Sequence, residues 1–538
     1  MKNIIYIIIL YNFIFSGNFI YNEESWYSII SPKEITSISY NRDEVFFTST
    51  NGLFVYNKFE NKFFYTDYTL SGIDNKNLLI SHYDIYRDNL WLLNSEKLQY
   101  KSDISNVWVN VYFFNLDIKH GRSIKNIGSN PNYIVLQVHN SQYIFLDPFT
   151  GRIINNLTNS DMESEILTVK WSSVSRSSLN NNFNLYEYYI FDEWDILSNN
   201  QIMKNGKNVY ITCALNQENG RNWFGTDAGE LFYTEPYSKE LERFSAIPNI
   251  TNANVAYLDN VDEWWFSDSN WLYNSSDILF NQEVIFLSHW NEIADIWTPL
   301  YQKKYPQIIS KDINVIFRLE DVLYIGTNRG LLLYYINLDK WDLVTMSDGL
   351  ASNDIKDIDY YNDGILYIAT SMGLTTLSVD INYPIKSYEK LRNKDIYDIS
   401  FFEKDLYILS SVGLFHLNTL SGKIKQLSNR KFSKIEVSSN RVILSNNNGL
   451  FSLNEGKPQL LTRFDKIKNF SICNNYIWVN AGDAAIIYNF KLNTKLRYNS
   501  NDGIAGKLIK NIDCNDSWVW FTTNQGLSFY NWSQFHYE

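Results

Sequence analysis

Cysteine, histidine and proline are all scarce in this chain of 538 residues, which carries 3, 6 and 9 of them. Three cysteines are too few for a scaffold built on disulfides. Cys473 and Cys514 follow the first strand of successive copies of a repeat, in FSICNNYIWV and NIDCNDSWVW. Positions one repeat apart are expected to lie beyond the roughly 7 Å Cα separation that a bridge allows, so these two and Cys213 read as buried free thiols. The histidines (His82, His120, His139, His289, His416 and His536) show no metal-ligand spacing. His-Glu-x-x-His motifs, Cys–His clusters and calcium-loop signatures are missing too, so neither metal nor cofactor is expected. There is no G-x-S-x-G elbow and no phosphate-cradling glycine loop. Basic residues are in deficit: 47 Lys and Arg face 59 Asp and Glu, a net charge of -12. That balance argues against a nucleic-acid partner, whose phosphates call for a basic surface. Charge of either sign is low at 20%, while 45% of residues are hydrophobic and 16% aromatic, which excludes a disordered chain.

Long hydrophobic runs are absent beyond the first residues. After Lys2 the chain is apolar from Ile4 to Phe15 and relaxes at Ser16–Gly17. A cationic start, about a dozen apolar residues and a small-residue exit describe a secretory signal peptide over 1–17, and the run is shorter than the roughly 20 residues of a bilayer span. The expectation is a secreted or periplasmic protein with no membrane span once the signal is removed.

What the chain does have is a recurring phrase: a hydrophobic strand, a small polar turn ending in glycine, and a second hydrophobic strand. It reads VFFTSTNGLFVYN from Val45, VLYIGTNRGLLLYY from Val322, ILYIATSMGLTTL from Ile365, DLYILSSVGLFHL from Asp405, RVILSNNNGLFSL from Arg441 and WVWFTTNQGLSFY from Trp518. A first strand such as IKDIDY precedes each phrase and a fourth such as KWDLVTM follows it. Four strands in about 40 to 45 residues make a propeller blade. With degenerate copies included, about twelve units are counted. Propellers usually hold four to eight blades, so the expected fold is all-β: two β-propellers of about six to seven four-stranded blades each. The widest gap between turn glycines or their counterparts brackets SHWNEIADIWTPLYQKKYP. The expected division is a first propeller over 23–285, a crossover over 286–306 and a second propeller over 307–538. Residues 161–206 fit the repeat poorly and suggest an insertion or a distorted blade. Trp26–Tyr27–Ser28–Ile29 reads as an isolated fourth strand, expected to complete a blade formed much later in the chain.

The segments SDGLASNDIKDI and SNDGIAGKLIKNI lead into first strands, and YIGTNRGL and YIATSMGL follow. Together they resemble the two-component regulator propeller repeat. More weakly, ITSISYNRDEVFFTSTNGLFVYN looks like the propellers of a surface component of the type IX secretion system. The first resemblance implies a sensor-type recognition module, with no kinase or membrane helix expected within these 538 residues. The implied context is a partner sensor kinase or secretion machinery.

Candidate site residues are few. Carboxylates gather at Asp161–Glu163–Glu165 and Asp262–Glu263, where solvated loop acids are the plain account. DEWWFSDSNWLYN is the densest aromatic cluster. Trp264 and Trp265 alternate across one strand, so one is expected to pack between blades while the other meets solvent or a sugar ring. Trp265, Trp271 at the following turn, and Arg329 at the turn of another blade are the binding candidates, with no catalytic or metal residue assigned. The expected function is non-enzymatic recognition of a glycan or envelope protein through propeller faces. The alternative is a propeller-based polysaccharide lyase or glycosidase, which requires convergent acids lining a channel.

Overall fold

The computed structural model describes residues 26–536 apart from 60–61, 66–72, 74–76, 102–106, 117, 139–141, 176–182, 192–193, 205–206, 245–252, 260–262, 269–284, 292–295, 302–311, 362 and 439–440. The signal segment 1–17 and Trp271 therefore lie outside the described residues.

The chain is an all-β protein of repeated, almost wholly antiparallel sheets: among the described residues there are ten of four strands and one of eight. The sheet formed by Ile355–Tyr360, Ile365–Thr370, Gly373–Ser378 and Tyr383–Ser387 shows why the sequence folds this way. Its second and third strands are buried almost throughout, because neighbouring sheets cover both faces. The glycine of the repeat closes the hairpin between them. At Gly413 φ is 126°, a region that side chains resist, and a β-carbon there would run into the Ser428 carbonyl. A hydroxyl three residues earlier ties the same turn. Thr370 Oγ1 donates to the Gly373 carbonyl at 2.7 Å and accepts the Met372 N–H at 3.2 Å. Thr327, Ser410 and Thr523 repeat the bond to Gly330, Gly413 and Gly526. The recurring Thr/Ser-x-x-Gly is thus a turn device.

Trp26–Ile29 pairs antiparallel with Gly526–Tyr530, with Trp26 opposite Tyr530 and Ile29 opposite Leu527. The expected completion of a late blade by the N-terminal strand is observed. The expected crossover is not: Ile285–Asn291 and Ile296–Tyr301 are the third and fourth strands of a sheet begun by Ala253–Leu258 and Trp264–Asp268. The absence of a turn glycine near Asn270 hid that unit's regularity.

Seven sheets follow one another in contact through their first strands: 253–301, 313–344, 355–387, 396–428, 434–463, 469–498 and 509–530. The last of these packs back against Ala253–Leu258. Apolar clusters fill the spaces between neighbours, as where Leu331 and Leu333 meet Ile358, Leu366 and Ile368. In the N-terminal half, sheets 35–65, 80–112 and 124–171 lie side by side, and Lys207–Asn216 of the eight-stranded sheet returns to Ile35–Tyr40. Ser173 enters this group, its Oγ 2.8 Å from Ser37 Oγ and accepting the Ile38 N–H at 3.0 Å. The poorly fitting region contains helix Asn159–Ile166 and the extra strands Trp194–Ser198 and Gln201–Lys204.

The cysteines depart from expectation. Cys473 and Cys514 form a disulfide with their Cα atoms 6.1 Å apart. Both end the first strand of adjacent sheets, and first strands are the elements that converge at the inner edge, so equivalent positions come within bonding range there. Cys213 is free and buried, as expected.

Candidate functional site

Antiparallel order places the second-to-third-strand turns and the connections between sheets at the same end of every sheet. Two open pockets lie at this end of the seven-sheet circuit. One of about 350 Å³ is lined by Thr327, Asn328, Arg329, Leu332, Leu343, Thr345 and Asn353. The other, of about 480 Å³, is lined by Tyr397, Lys431, Phe432, Ser433 and Asn446 to Asn448. Arg329 is exposed at the rim of the first, where the sequence reading put it.

Trp265 lies elsewhere. It is buried, and its indole Nε1 donates to Asp259 Oδ2 at 2.9 Å. Trp264 is buried as well, edge-on to Trp520 at 5.0 Å and to Phe529 at 5.1 Å. Neither ring meets solvent, because each face of this strand is covered by a neighbouring sheet. Around Trp265 is a charged nest that joins two sheets. Arg318 Nη1 bonds Asp259 Oδ2 and, at 2.9 Å, Glu263 Oε2. Tyr257 Oη accepts the Arg318 N–H at 3.1 Å. His289 Nε2 lies 3.3 Å from Glu263 Oε2 and its ring sits 4.3 Å from Trp265. Burial lowers the His289 pKa, and Glu263 offsets part of that. Glu263, expected as a solvated acid, is therefore held in an ion pair; Asp262 lies outside the described residues.

The acids at 161–165 are helical rather than in a loop. Asp161 Oδ2 accepts the Thr158 N–H at 3.1 Å in a capping box, and Glu165 takes amide bonds from Asn130 at 2.6 Å and Asn132 at 3.0 Å. His82 is buried against Ser129 Oγ at 2.9 Å, and burial pushes its imidazole down to about 3. His416 sits 3.1 Å from Asp405 Oδ1 in its strand.

Sequence reading missed the polar seam along the inner edge of the circuit. First strands are edge strands, so they expose backbone N–H groups that need partners. Side chains from the preceding sheet supply them. Asp357 Oδ2 accepts the Ile399 N–H at 2.9 Å, Asp359 Oδ2 the Phe401 N–H at 2.8 Å, Asp398 the Ile435 N–H, and Glu436 Oε2 the Ile472 N–H at 2.7 Å. Ser471 Oγ then donates to Asp513 Oδ1 at 2.8 Å, and Lys510 Nζ to Asn254 Oδ1 at 2.8 Å, which completes the circuit. Lys434 Nζ lies 2.6 Å from Glu436 Oε1. Burial raises the pKa values of Asp357, Asp398 and Glu436. Burial, with the Asp357 charge added, raises Asp359 to about 7. Burial works against the Lys434 charge, but Glu436, Asp513 and Asp398 outweigh it and raise its pKa. The polar pairs two residues apart, Asp357 and Asp359 in IKDIDY and Asp398 and Ser400 in IYDISF, were the available signal, since Asp at such positions of a first strand has no apolar reason to be there.

Among the described residues, no group of three or more His, Cys, Asp and Glu is arranged to hold a metal ion. No helix among them is long and apolar enough to cross a membrane.

Four-stranded antiparallel sheets of this grammar define a protein of the β-propeller class. The chain is similar in structure to PorZ, an essential bacterial surface component of the type IX secretion system of Porphyromonas gingivalis. The TM-score is 0.58 and the identity 12%, over 94% of this chain and 87% of that one. It is also similar to the extracellular domains of the hybrid two-component systems BT4673 and BT3049 of B. thetaiotaomicron. For BT4673 the TM-score is 0.44 at 13% identity, over 93% of this chain and 70% of that one. For BT3049 it is 0.42 at 12% identity, over 93% and 82%. At these identities the likeness is one of fold. No protein-family model matches the chain, and no curated protein matches it.

Proposed function

We propose that this chain is an extracytoplasmic, non-enzymatic binding or scaffold protein that recognises a glycan or an envelope protein through the turn-bearing face of its propellers. The observation that carries this reading is the pair of open pockets on one face, where amide, hydroxyl and cationic groups around Arg329 and Lys431 stand beside the apolar Leu332, Leu343 and Phe432. Loops on a rigid scaffold are the usual seat of recognition. The division into propellers that goes with it is a seven-bladed ring from Ala253 to Tyr530, closed by Trp26–Ile29, and a smaller ring of four sheets over 35–243. An extracytoplasmic setting is supported by the disulfide between Cys473 and Cys514, since such bonds persist in oxidising compartments. It is also supported by the fold shared with a surface component of a secretion system, so a secretion machine or sensor kinase is the kind of partner to seek.

One observation favours the enzymatic alternative. Asp357 and Asp398 converge at the inner edge of the circuit, close enough for each carboxyl to act on the protonation of the other. Both, however, already accept backbone N–H groups of the next sheet, which gives them a structural task. The test is a glycan array together with a pull-down from envelope extract, each with wild type and Arg329→Ala. Specific capture that weakens in the variant is expected. Turnover in a polysaccharide screen, lost in Asp398→Asn, would replace this reading with the enzymatic one.

A further inference from the structure

The net charge of the chain conceals a strong asymmetry. Between Lys423 and Lys510 there are 15 Lys and Arg against 5 Asp and Glu, whereas the whole chain has 47 against 59. The remainder therefore carries 32 against 54. Many of the cations in this window sit on three successive connections between sheets, at the turn-bearing face. Arg430 and Lys431 precede the sheet 434–463, Lys466 and Lys468 precede 469–498, and Lys507 precedes 509–530. All five are exposed.

Their local geometry is that of a surface held ready for anions. Gly482, at the turn of the 469–498 sheet, has φ of 98°, and a β-carbon there would lie 3.6 Å from Lys468 Nζ and 3.7 Å from Lys466 Nζ. Two ammonium groups thus converge on one backbone turn. Of the acids nearby, Asp483 pairs with Arg497 at 2.9 Å, and Asp465, exposed on the connection that carries Lys466 and Lys468, leaves that connection with a net positive charge. The Arg430 guanidinium lies 4.1 Å above the Phe451 ring, which fixes its position.

Beside this cationic arc, the same face presents apolar tips. Met372 and Val412 occupy the slot before the turn glycine in two successive sheets, and Met346 stands on the connection between the first of these and its predecessor; they are 44%, 45% and 51% exposed. Leu508, next to Lys507, is 42% exposed. Methionine, arginine and aliphatic side chains exposed together are the composition of a protein-binding surface. A sugar or a nucleobase would look for an open aromatic ring to stack on, and Phe432 and Phe464 on these connections are buried.

We infer that this face, from Met346 round to Leu508, is a docking surface for an acidic protein segment whose leucine-like side chains seat on Met346, Met372 and Val412 while its carboxylates meet Lys431, Lys466 and Lys468. The inference rests on the binding role proposed above and names the partner's chemistry. Opposite charge steers such a partner to the face and fixes its register, and salt screens the attraction.

The test uses the full chain without its first 17 residues and three synthetic 18-residue peptides: Glu-Glu-Leu repeats, Glu-Glu-Ser repeats and Lys-Lys-Leu repeats. Polygalacturonate and a single-stranded DNA oligonucleotide are added as competing polyanions. The Glu-Glu-Leu peptide is expected to bind, with affinity falling at least tenfold in the Lys431→Ala/Lys466→Ala/Lys468→Ala variant and several-fold in Met372→Ser/Val412→Ser. A Lys239→Ala/Lys340→Ala variant, which removes exposed cations elsewhere, is expected to leave binding unchanged. All altered side chains are exposed, and unchanged melting temperatures check the fold. The inference is overturned if the Glu-Glu-Leu peptide does not bind at millimolar concentration, if Lys-Lys-Leu binds equally, or if the triple variant binds as wild type does. Tighter binding of polygalacturonate or DNA, lost in the triple variant, also overturns it in favour of a polysaccharide or nucleic acid. Specific capture of neutral glycans unaffected by the triple variant would leave the general binding role standing and remove this surface from it.

Discussion

Asp359 Oδ2 accepts the backbone N–H of Phe401 at 2.8 Å, so a carboxyl of one sheet closes the exposed edge of the next. Burial, with the neighbouring Asp357 charge, raises this group to about 7, well above the ordinary carboxylate near 4. The folded state therefore binds a proton that the unfolded chain releases. The stability linked to that proton is fully present below pH of about 4 and is lost as pH rises through 7. Melting temperature is expected to fall by a few degrees between pH 5 and pH 8. In Asp359→Asn, which keeps an oxygen acceptor for Phe401, part of that slope should disappear in differential scanning calorimetry. An identical slope in the variant would assign the pH dependence to other groups.

Closure of the circuit depends on four residues. Trp26 stacks on Tyr530 with ring centroids 4.5 Å apart, and Ser28 Oγ lies 3.0 Å from Ser528 Oγ. Removing this strand exposes the edge Gly526–Tyr530 and the apolar cluster around Trp478 and Phe521. Deletion of residues 23–30 should lower the melting temperature sharply and promote aggregation, as read by scattering during the melt. Trp26→Ala alone should cost about 3 kcal/mol in urea unfolding. A deletion variant that melts with wild type would refute the closure.

The disulfide joins residues 41 apart on the first strands of the last two sheets of the circuit. Cross-linking a loop of that length stabilises a fold by about 2–4 kcal/mol, mainly by restricting the unfolded chain. Reduction, or the Cys473→Ser/Cys514→Ser pair of changes, should lower the urea midpoint accordingly. Peptide mapping without reductant should recover the two cysteine peptides as one linked species. Cys213 should remain unlinked and slow to alkylate, because burial pushes its thiol up to about 12.

The blade grammar was legible in the sequence because its causes are local. Glycine at a positive-φ turn, a hydroxyl three residues before it and alternating strands leave marks at short range, as at Thr370 and Gly373. Arg329 was legible for the same reason, since a turn residue must point outward. Contacts between sheets left weaker marks. Trp265 read as a surface ring because its partner Asp259 and the cation Arg318 come from beyond its own strand. Cys473 and Cys514 read as distant because repeat spacing says nothing about how closely first strands converge. The sheet 253–301 was split by the expected boundary because the segment between its second and third strands carries no glycine, so the repeat's mark is missing there.

Arg318 offers the clearest test of how neighbouring sheets are joined. Its guanidinium is the partner of Asp259, whose side chain is fully buried, and of Glu263, while Trp265 and the Glu263 N–H bond the same Asp259 carboxyl. Arg318→Met keeps most of the side-chain volume but leaves that carboxylate buried without its cation. Removing one partner of a buried pair costs about 3–5 kcal/mol, far more than losing an exposed ion pair. The double change Arg318→Met/Asp259→Leu removes both charges and should recover a large share of the loss, whereas Lys340→Met, which removes the exposed pair with Asp342, should cost less than about 1 kcal/mol. A double-mutant cycle by urea unfolding separates these outcomes. Equal small losses for Arg318→Met and Lys340→Met would mean that the nest contributes no more than a surface contact, and that apolar packing alone holds the 253–301 and 313–344 sheets together.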